Sequence, residues 1–162
     1  MKIAKVSATV HRVPVRPPLL DREMSWRVVF ARVETEEVLD GNGLAGETTR
    51  TGTREFINRE LGPFLVGKDP LDTEHVWEEM FQRFNVRAMS GVVSFAMSAV
   101  DIAMWDLKGK FLGQPVWRLL GGYRQRVPVY ITFGLAAYNH EQLAEAARLQ
   151  VAAGHKALKM VV

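Results

Sequence analysis

The sequence predicts an α+β protein in which a three-stranded antiparallel meander packs on helices and a parallel βαβ unit follows. Three observations carry this expectation. Residues 2 to 48 alternate in polarity and are broken by turn-forming residues. The run from Gly91 to about Leu112 is apolar over a helical length and is stopped by Gly113 and Pro115. Beyond Gly122 the pattern becomes strand, capped helix and strand within about thirty-five residues, an arrangement that sets the two strands parallel.

From Lys2 to Val13, Ala4, Val6, Ala8 and Val10 share one face of a half-buried strand, and Lys5, Ser7, Thr9 and His11 share the other. His11 is expected to be solvated and without a nearby partner. Residues 14 to 25, PVRPPLLDREMS, hold three prolines and mixed charges and form a loop. Leu19, Leu20 and Met24 stand there beside Arg16, Asp21 and Arg22, and apolar residues on a loop cover something. Trp26 to Glu34 forms the second strand and residues 44 to 48 the third, with Asp40-Gly41-Asn42-Gly43 as the hairpin turn. That Gly-x-Gly is turn chemistry rather than a phosphate loop, because no helix opens behind it and no lysine follows.

Arg50 to Thr53 reads as a loop, with Thr53 capping a short helix to about Leu61 that ends at Gly62-Pro63. A stronger helix starts near Asp72 or Thr73. Val76, Trp77, Met80, Phe81 and Phe84 form its core stripe, and His75 lies beside it on the surface. Asn85 to Ser90 is a loop, and Ser90 is a candidate cap for the long helix. In that helix Ala96, Ala99, Ala103 and Gly109 allow close backbone approach, while Met97, Met104, Trp105 and Phe111 supply bulk, so burial on several sides is expected. Asp101 and Asp106 are five apart, poorly aligned for joint ligation, and Lys110 and Arg118 are at hand, which favours structural pairing over catalysis. A short helix, PVWRLL, then runs to Gly121 and Gly122.

Val127 to Phe133 and Ala157 to Val162 are the parallel strands, and between them Asn139 and Gln142 form a capping box on a helix ended by Gly154. Parallel strands need cover on both faces and both edges. The chain is therefore expected to be the N-terminal portion of a longer enzyme or to be completed by another chain. Lys159 lies in the otherwise apolar run ALKMVV near the C-terminal end of a parallel strand. On position alone it is either a lysine snorkelling to the rim or an acid/base group.

Composition narrows the classes. Among 162 residues, 48% are hydrophobic and 24% charged, and no apolar stretch approaches a membrane span. The absence of cysteine removes disulfides and thiolate chemistry and fits a reducing compartment, so a cytoplasmic location is expected. A net charge of +3 with dispersed basic residues gives nucleic-acid binding no support and mildly suits anionic small molecules.

The run A-x-S-A-x-D-I-A-x-W-D-L-K-G-K-x-x-G-x-P-V-x-R-L-L-G-G, from Ala96 to Gly122, resembles the linking segment of the mandelate racemase/muconate lactonizing enzyme group of the enolase superfamily. The resemblance implies a capping domain over residues 1–122 and the start of a TIM-type (β/α) barrel, left incomplete, over residues 123–162. It also implies that the 14–25 loop folds over the barrel mouth and helps choose substrate. Arg16, Leu19, Arg22 and Met24 are accordingly substrate-binding candidates, together with Arg50 and Thr132. Ala45-Gly46-Glu47 stands where relatives usually carry Gly-x-Gly-Glu.

The segment GHKALKMV is similar to the family's second barrel strand, usually ending Lys-x-Lys, so Lys159 matches the lysine that lies against the substrate carboxylate. Val161 replaces the second lysine, often a base. The implied chemistry is abstraction of the proton next to a carboxylate with Mg²⁺ as cofactor, its acidic ligands being on the third to fifth strands and absent from this chain. Loss of one base favours dehydration of a sugar acid over two-base racemisation. A racemase or cycloisomerase of the same group is the alternative, and a truncated chain acting only through packing is a third. The expected partners are a small carboxylate substrate and further copies in a homo-oligomer.

Overall fold

The computed structural model of the protein describes residues 1–46, 48–84 and 91–161. The expected Ser90 cap, the 85–90 loop and Glu47 of the Ala-Gly-Glu motif lie outside the described residues. The chain divides into two compact units, one of Met1–Val13 with Trp26–Tyr123 and one of Pro14–Ser25 with Arg124–Val162.

The first unit contains the predicted three-stranded antiparallel sheet, in the order β1 (Ile3–Val15), β2 (Met24–Thr35), β3 (Asp40–Ala45). Its inward alternation differs at the start from the expected one. Ile3 is fully buried and Ala4 is exposed, because Ile3 pairs through its backbone with Gly67 and Lys68 before the strand settles on Val6 and Ala8 as its buried face. His11 remains exposed but does have partners: its Nε2 lies 2.8 Å from Thr9 Oγ1 and its ring meets Phe30 edge-on at 5.5 Å.

The hairpin turn is not at Asp40–Gly43. Those residues pair with β2 in a register running from Val29↔Ala45 to Glu34↔Asp40. The turn lies at Thr35–Leu39, closed by the Thr35 hydroxyl donating to Leu39 O at 2.9 Å and passing through Val38 at φ 63. Gly41 and Gly43 serve a different need: a Cβ on either would lie 1.9 Å from the carbonyl oxygen of Ala103 or Ala99. The strand and the long helix approach so closely that both sides require small residues.

The helical segment after the sheet also departs from expectation. Arg50 to Thr53 is not a loop but opens α1 (Arg50–Phe56), and Thr53 is a buried residue within it, its hydroxyl 3.0 Å from that of Thr49. Gly62-Pro63 does not end the helix. A π turn, Ile57–Leu61, leads into α2 (Gly62–Leu65), because proline offers no N–H to the preceding turn and a wider turn absorbs the break. The π turn aims Asn58 at the sheet, where its amide accepts from Ala8 N at 2.7 Å and donates to Ala8 O at 3.0 Å.

Helix α3 (Thr73–Phe84) buries Val76 and Met80, stacks Trp77 on Phe81, and sets Phe84 edge-on to Phe56 and Phe64. His75 is on the surface, 3.7 Å from Glu79.

Helix α4 (Gly91–Leu112) is the centre of the core, with Ala96, Met97, Ala99, Val100, Ala103, Met104 and Leu107 buried against the sheet and its neighbours. Its burial is nevertheless one-sided. Ile102 and Phe111 are exposed, 46% and 52%, since sheet and helices cover one flank of a helix that is apolar all round.

Asp106 is structural: its carboxylate accepts from Asn42 N at 2.8 Å and pairs with Lys110 at 2.8 Å. Arg118 instead donates to Gln114. Asp101 departs from the expected pairing, having no cation partner among the described residues. Burial, aided by the Glu74 carboxylate, pushes its carboxyl up to about 6.

At Gly113, φ 62, the bonds from Gly113 N to Lys110 O and Gln114 N to Gly109 O close α4 as a left-handed glycine cap requires. The same pair of bonds ends α5 (Val116–Leu119) and the later α6 (His140–Ala152). No helix among the described residues is long and apolar enough to cross a membrane.

In the second unit β4 (Ile131–Phe133) and β5 (Leu158–Met160) are parallel, registered Ile131↔Leu158, Thr132↔Lys159 and Phe133↔Met160. Both strands are shorter than expected. Val127 and Val129 stand exposed outside β4, where no neighbouring backbone among the described residues holds them in a ladder. Between the strands, α6 carries the predicted capping box of Asn139 and Gln142.

Candidate active site

Lys159 and Thr132 are direct cross-strand partners, the central residues of β5 and β4, and both are exposed. Registered residues of a parallel pair point to the same face, so the ammonium and the hydroxyl share one surface. Tyr130, two residues before Thr132, shares it as well: Lys159 Nζ lies 5.8 Å from its ring centroid, a contact worth about 0.5–1 kcal/mol at an exposed site.

The 14–25 segment belongs to the same compact unit, but it is not loop throughout as expected: Pro14 and Val15 extend β1, and Met24 and Ser25 open β2. Arg16 Nε is 3.9 Å from Glu23 Oε2, a pair that spans the neck of the loop. Leu19 sits at φ 64 and is partly exposed, Arg22 is exposed, and Met24 is half-buried where β2 begins. The loop is held from α6 and the turn before it. Tyr138 donates its hydroxyl to Pro18 O at 2.5 Å and Gln142 Nε2 donates to Leu19 O at 3.3 Å. Burial raises the Tyr138 hydroxyl above the usual phenol range, which keeps it a donor at neutral pH.

One unit thus contains Arg16, Leu19, Arg22, Met24, Thr132 and Lys159. Arg50, half-buried at the first position of α1, belongs to the other. Tyr130, Tyr138 and Gln142 were not singled out for the site from sequence. For Tyr130 a signal existed, since two-residue spacing puts it on the face of Thr132.

Elsewhere, a groove of about 630 Å³ beside α4 is lined by Asp101, Asp106 and Asn42 with Phe30, Ile102 and Trp105. A carboxyl titrating near neutrality suits acid/base work. The second carboxylate of this groove, Asp106, is already engaged by Asn42 N and Lys110, and the charge acting on Asp101 is the repelling Glu74. The surface around Lys159 brings together more chemistry.

Comparison with known proteins identifies the lineage. Residues 3–121 match the model of the mandelate racemase/muconate lactonizing enzyme N-terminal domain. The chain belongs to this family. Its relatives in the family include 3,6-anhydro-alpha-L-galactonate cycloisomerase of Streptomyces coelicolor, 32% identical over 134 residues, a match covering 79% of this chain and 37% of the relative. D-galactonate dehydratase of Cronobacter sakazakii is 34% identical over 135 residues, covering 83% and 32%.

Among solved structures, a mandelate racemase/muconate lactonizing protein from Paracoccus denitrificans, complexed with magnesium, superposes with a TM-score of 0.80 at 34% identity, covering 98% of this chain and 41% of that one. The chain therefore spans about a third of the length of the curated relatives it matches. No group of three or more His, Asp or Glu side chains among the described residues is placed to hold a metal ion.

Proposed function

We propose that residues 1–122 are the capping domain and 123–162 the opening of the barrel of a sugar-acid dehydratase, in which Lys159 is the catalytic residue contributed by this chain. The observation that carries this is the pairing of Lys159 with Thr132 across the parallel strands, in the unit that also holds the Arg16–Arg22 loop. The relative acting on D-galactonate supports the substrate class.

In such a dehydration the proton on the carbon next to the carboxylate leaves, hydroxide departs from the next carbon, and the resulting enol tautomerises to a 2-keto-3-deoxy acid. The ammonium of Lys159 lies against the substrate carboxylate and stabilises the extra negative charge that builds there as the proton leaves. Arg16, Leu19, Arg22, Met24, Thr132 and Arg50 contact the rest of the substrate. Val161 occupies the position of a second lysine, so the base comes from outside this strand. Mg²⁺ is expected for the complete enzyme, and no step is assigned to it through the residues of this chain. A cycloisomerase is the second reading, favoured by the anhydrogalactonate relative.

The test is turnover by the complete enzyme, with Mg²⁺, of a sugar-acid panel that includes D-galactonate, followed as 2-keto-3-deoxy product. The Lys159→Ala protein is expected to lose about 100- to 10,000-fold in kcat/KM. No product from any sugar acid, or full activity in the variant, overturns the dehydratase reading. A lactone-derived or ring-opened isomer in place of the keto acid selects the cycloisomerase.

A further inference from the structure

The second unit contains two hydrogen bonds that neither strand pairing nor helix capping requires. Tyr138 precedes α6 and Gln142 lies in its first turn, and their donors meet two successive backbone carbonyls, Pro18 O and Leu19 O. Leu19 is held at φ 64, a left-handed conformation that side chains with a Cβ adopt only at a cost and that persists when the surroundings enforce it. Among the described residues, the other side-chain closure of this loop is the long Arg16–Glu23 pair, with Arg16 86% exposed, and such pairs contribute little. The loop's conformation therefore depends on the two donors.

Gln142 is used twice. Its Oε1 accepts from Asn139 N at 3.0 Å, completing the capping box, and its Nε2 is the group that reaches Leu19. The two roles can be separated chemically. A glutamate at this position keeps an acceptor for Asn139 N, and a negative charge suits a helix N-terminus, but it has nothing to donate to a carbonyl.

We infer that Tyr138 and Gln142 are positioning residues that latch the 14–25 loop by its backbone and so fix where Arg16, Leu19, Arg22 and Met24 meet the substrate. Because both acceptors are main-chain atoms, side chains on the loop can change without releasing it, which separates the position of the loop from the specificity it confers. This inference rests on the proposed function for its link to substrate, and not for the latch itself.

The experiment is limited trypsin digestion of the chain under native conditions, read by mass spectrometry, for the wild type, Tyr138→Phe and Gln142→Glu. Cleavage after Arg22 reports opening of the loop, since the Arg16–Pro17 bond resists trypsin. Cleavage after Arg126, exposed and outside the loop, reports general loosening of the unit. Removing one neutral hydrogen bond is expected to raise cleavage after Arg22 about two- to tenfold, with the Arg126 rate and the thermal midpoint unchanged. An unchanged Arg22 rate, or an equal rise at both sites, overturns the latch.

In protein that turns over a sugar acid, the same variants are expected to raise KM more than they lower kcat. A fall in kcat at constant KM overturns the link to substrate. The digestion needs no substrate, so faster nicking at Arg22 in a protein inactive on every sugar acid upholds the latch and overturns the proposed function alone.

Discussion

The two compact units of the chain are stabilised in different ways. In Met1–Val13 with Trp26–Tyr123, Ile3, Val29, Val33, Leu61, Met80, Val100, Met104 and Leu107 are withdrawn from water almost completely. In Pro14–Ser25 with Arg124–Val162, Ala146 is the one apolar residue buried to that degree among the described residues, while Val129, Tyr130 and Met160 stand half or more exposed. The first unit depends on shape, helix against sheet at backbone distance. The second depends on individual hydrogen bonds: a capping box, a glycine cap and two side chains on loop carbonyls. A substitution in the first should therefore act on the whole unit, and one in the second should act locally.

The largest effect is expected where the first unit has no room. Gly43→Ala places a Cβ 1.9 Å from Ala99 O, so strand or helix must retreat, at about 4 kcal/mol. Urea unfolding followed by tryptophan fluorescence measures it. A loss under about 1 kcal/mol would mean that the sheet can slide away and that shape is not what limits this unit.

A smaller effect, of opposite sign, is expected at Asp101. Its folded pKa of about 6 lies above the ordinary value of 3.8, so the fold disfavours the charged form. The penalty is complete above pH 6 and is relieved as pH falls from about 6 towards 3.8. Discounted for partial solvation, it is about 1 kcal/mol. Asp101→Asn should therefore be the more stable protein at pH 7.5, with the difference from wild type vanishing by pH 4. A constant difference across that range would place the cause in packing.

The smallest effect sharpens the contrast from the other side. Asn139→Ala removes the cap of α6 and should cost about 0.5–1 kcal/mol. The loss should be visible as faster amide exchange within His140–Ala152, with no change in the first unit. A shift in the urea midpoint of the first unit would show that the two are energetically joined.

What could be read from sequence follows the same division. The glycine cap at Gly113 and the box at Asn139 and Gln142 were legible because both are made within one turn of chain. The parallel pairing of the last two strands was legible from the strand–helix–strand pattern, whereas the register that sets Lys159 opposite Thr132 was not. Gly41 and Gly43 were misread because glycines that permit a turn also permit close approach, and only the position of α4 decides between them. Thr53 looked like a cap because a threonine ahead of an apolar run is the usual cap signature, yet Arg50 already begins the helix. Tyr138 left no signal: a hydroxyl bonded to a main-chain oxygen 120 residues away has no counterpart in local pattern.

The wide turn at Ile57–Leu61 also governs chain length. Each residue of an α-helix advances about 100° around the axis, so a turn holding one extra residue resets the phase of everything after it. With that extra residue, Asn58 reaches Ala8 and Gly62 comes within 2.9 Å of Val6 O, as measured from a Cβ placed on it. Deleting one residue here would produce a more regular helix and a worse protein, because the two contacts could no longer fall on the same side. Arg59 and Glu60 are exposed, and Arg59 makes a surface pair with Glu55, so the number of residues between Phe56 and Pro63 matters more than their identity at these two positions.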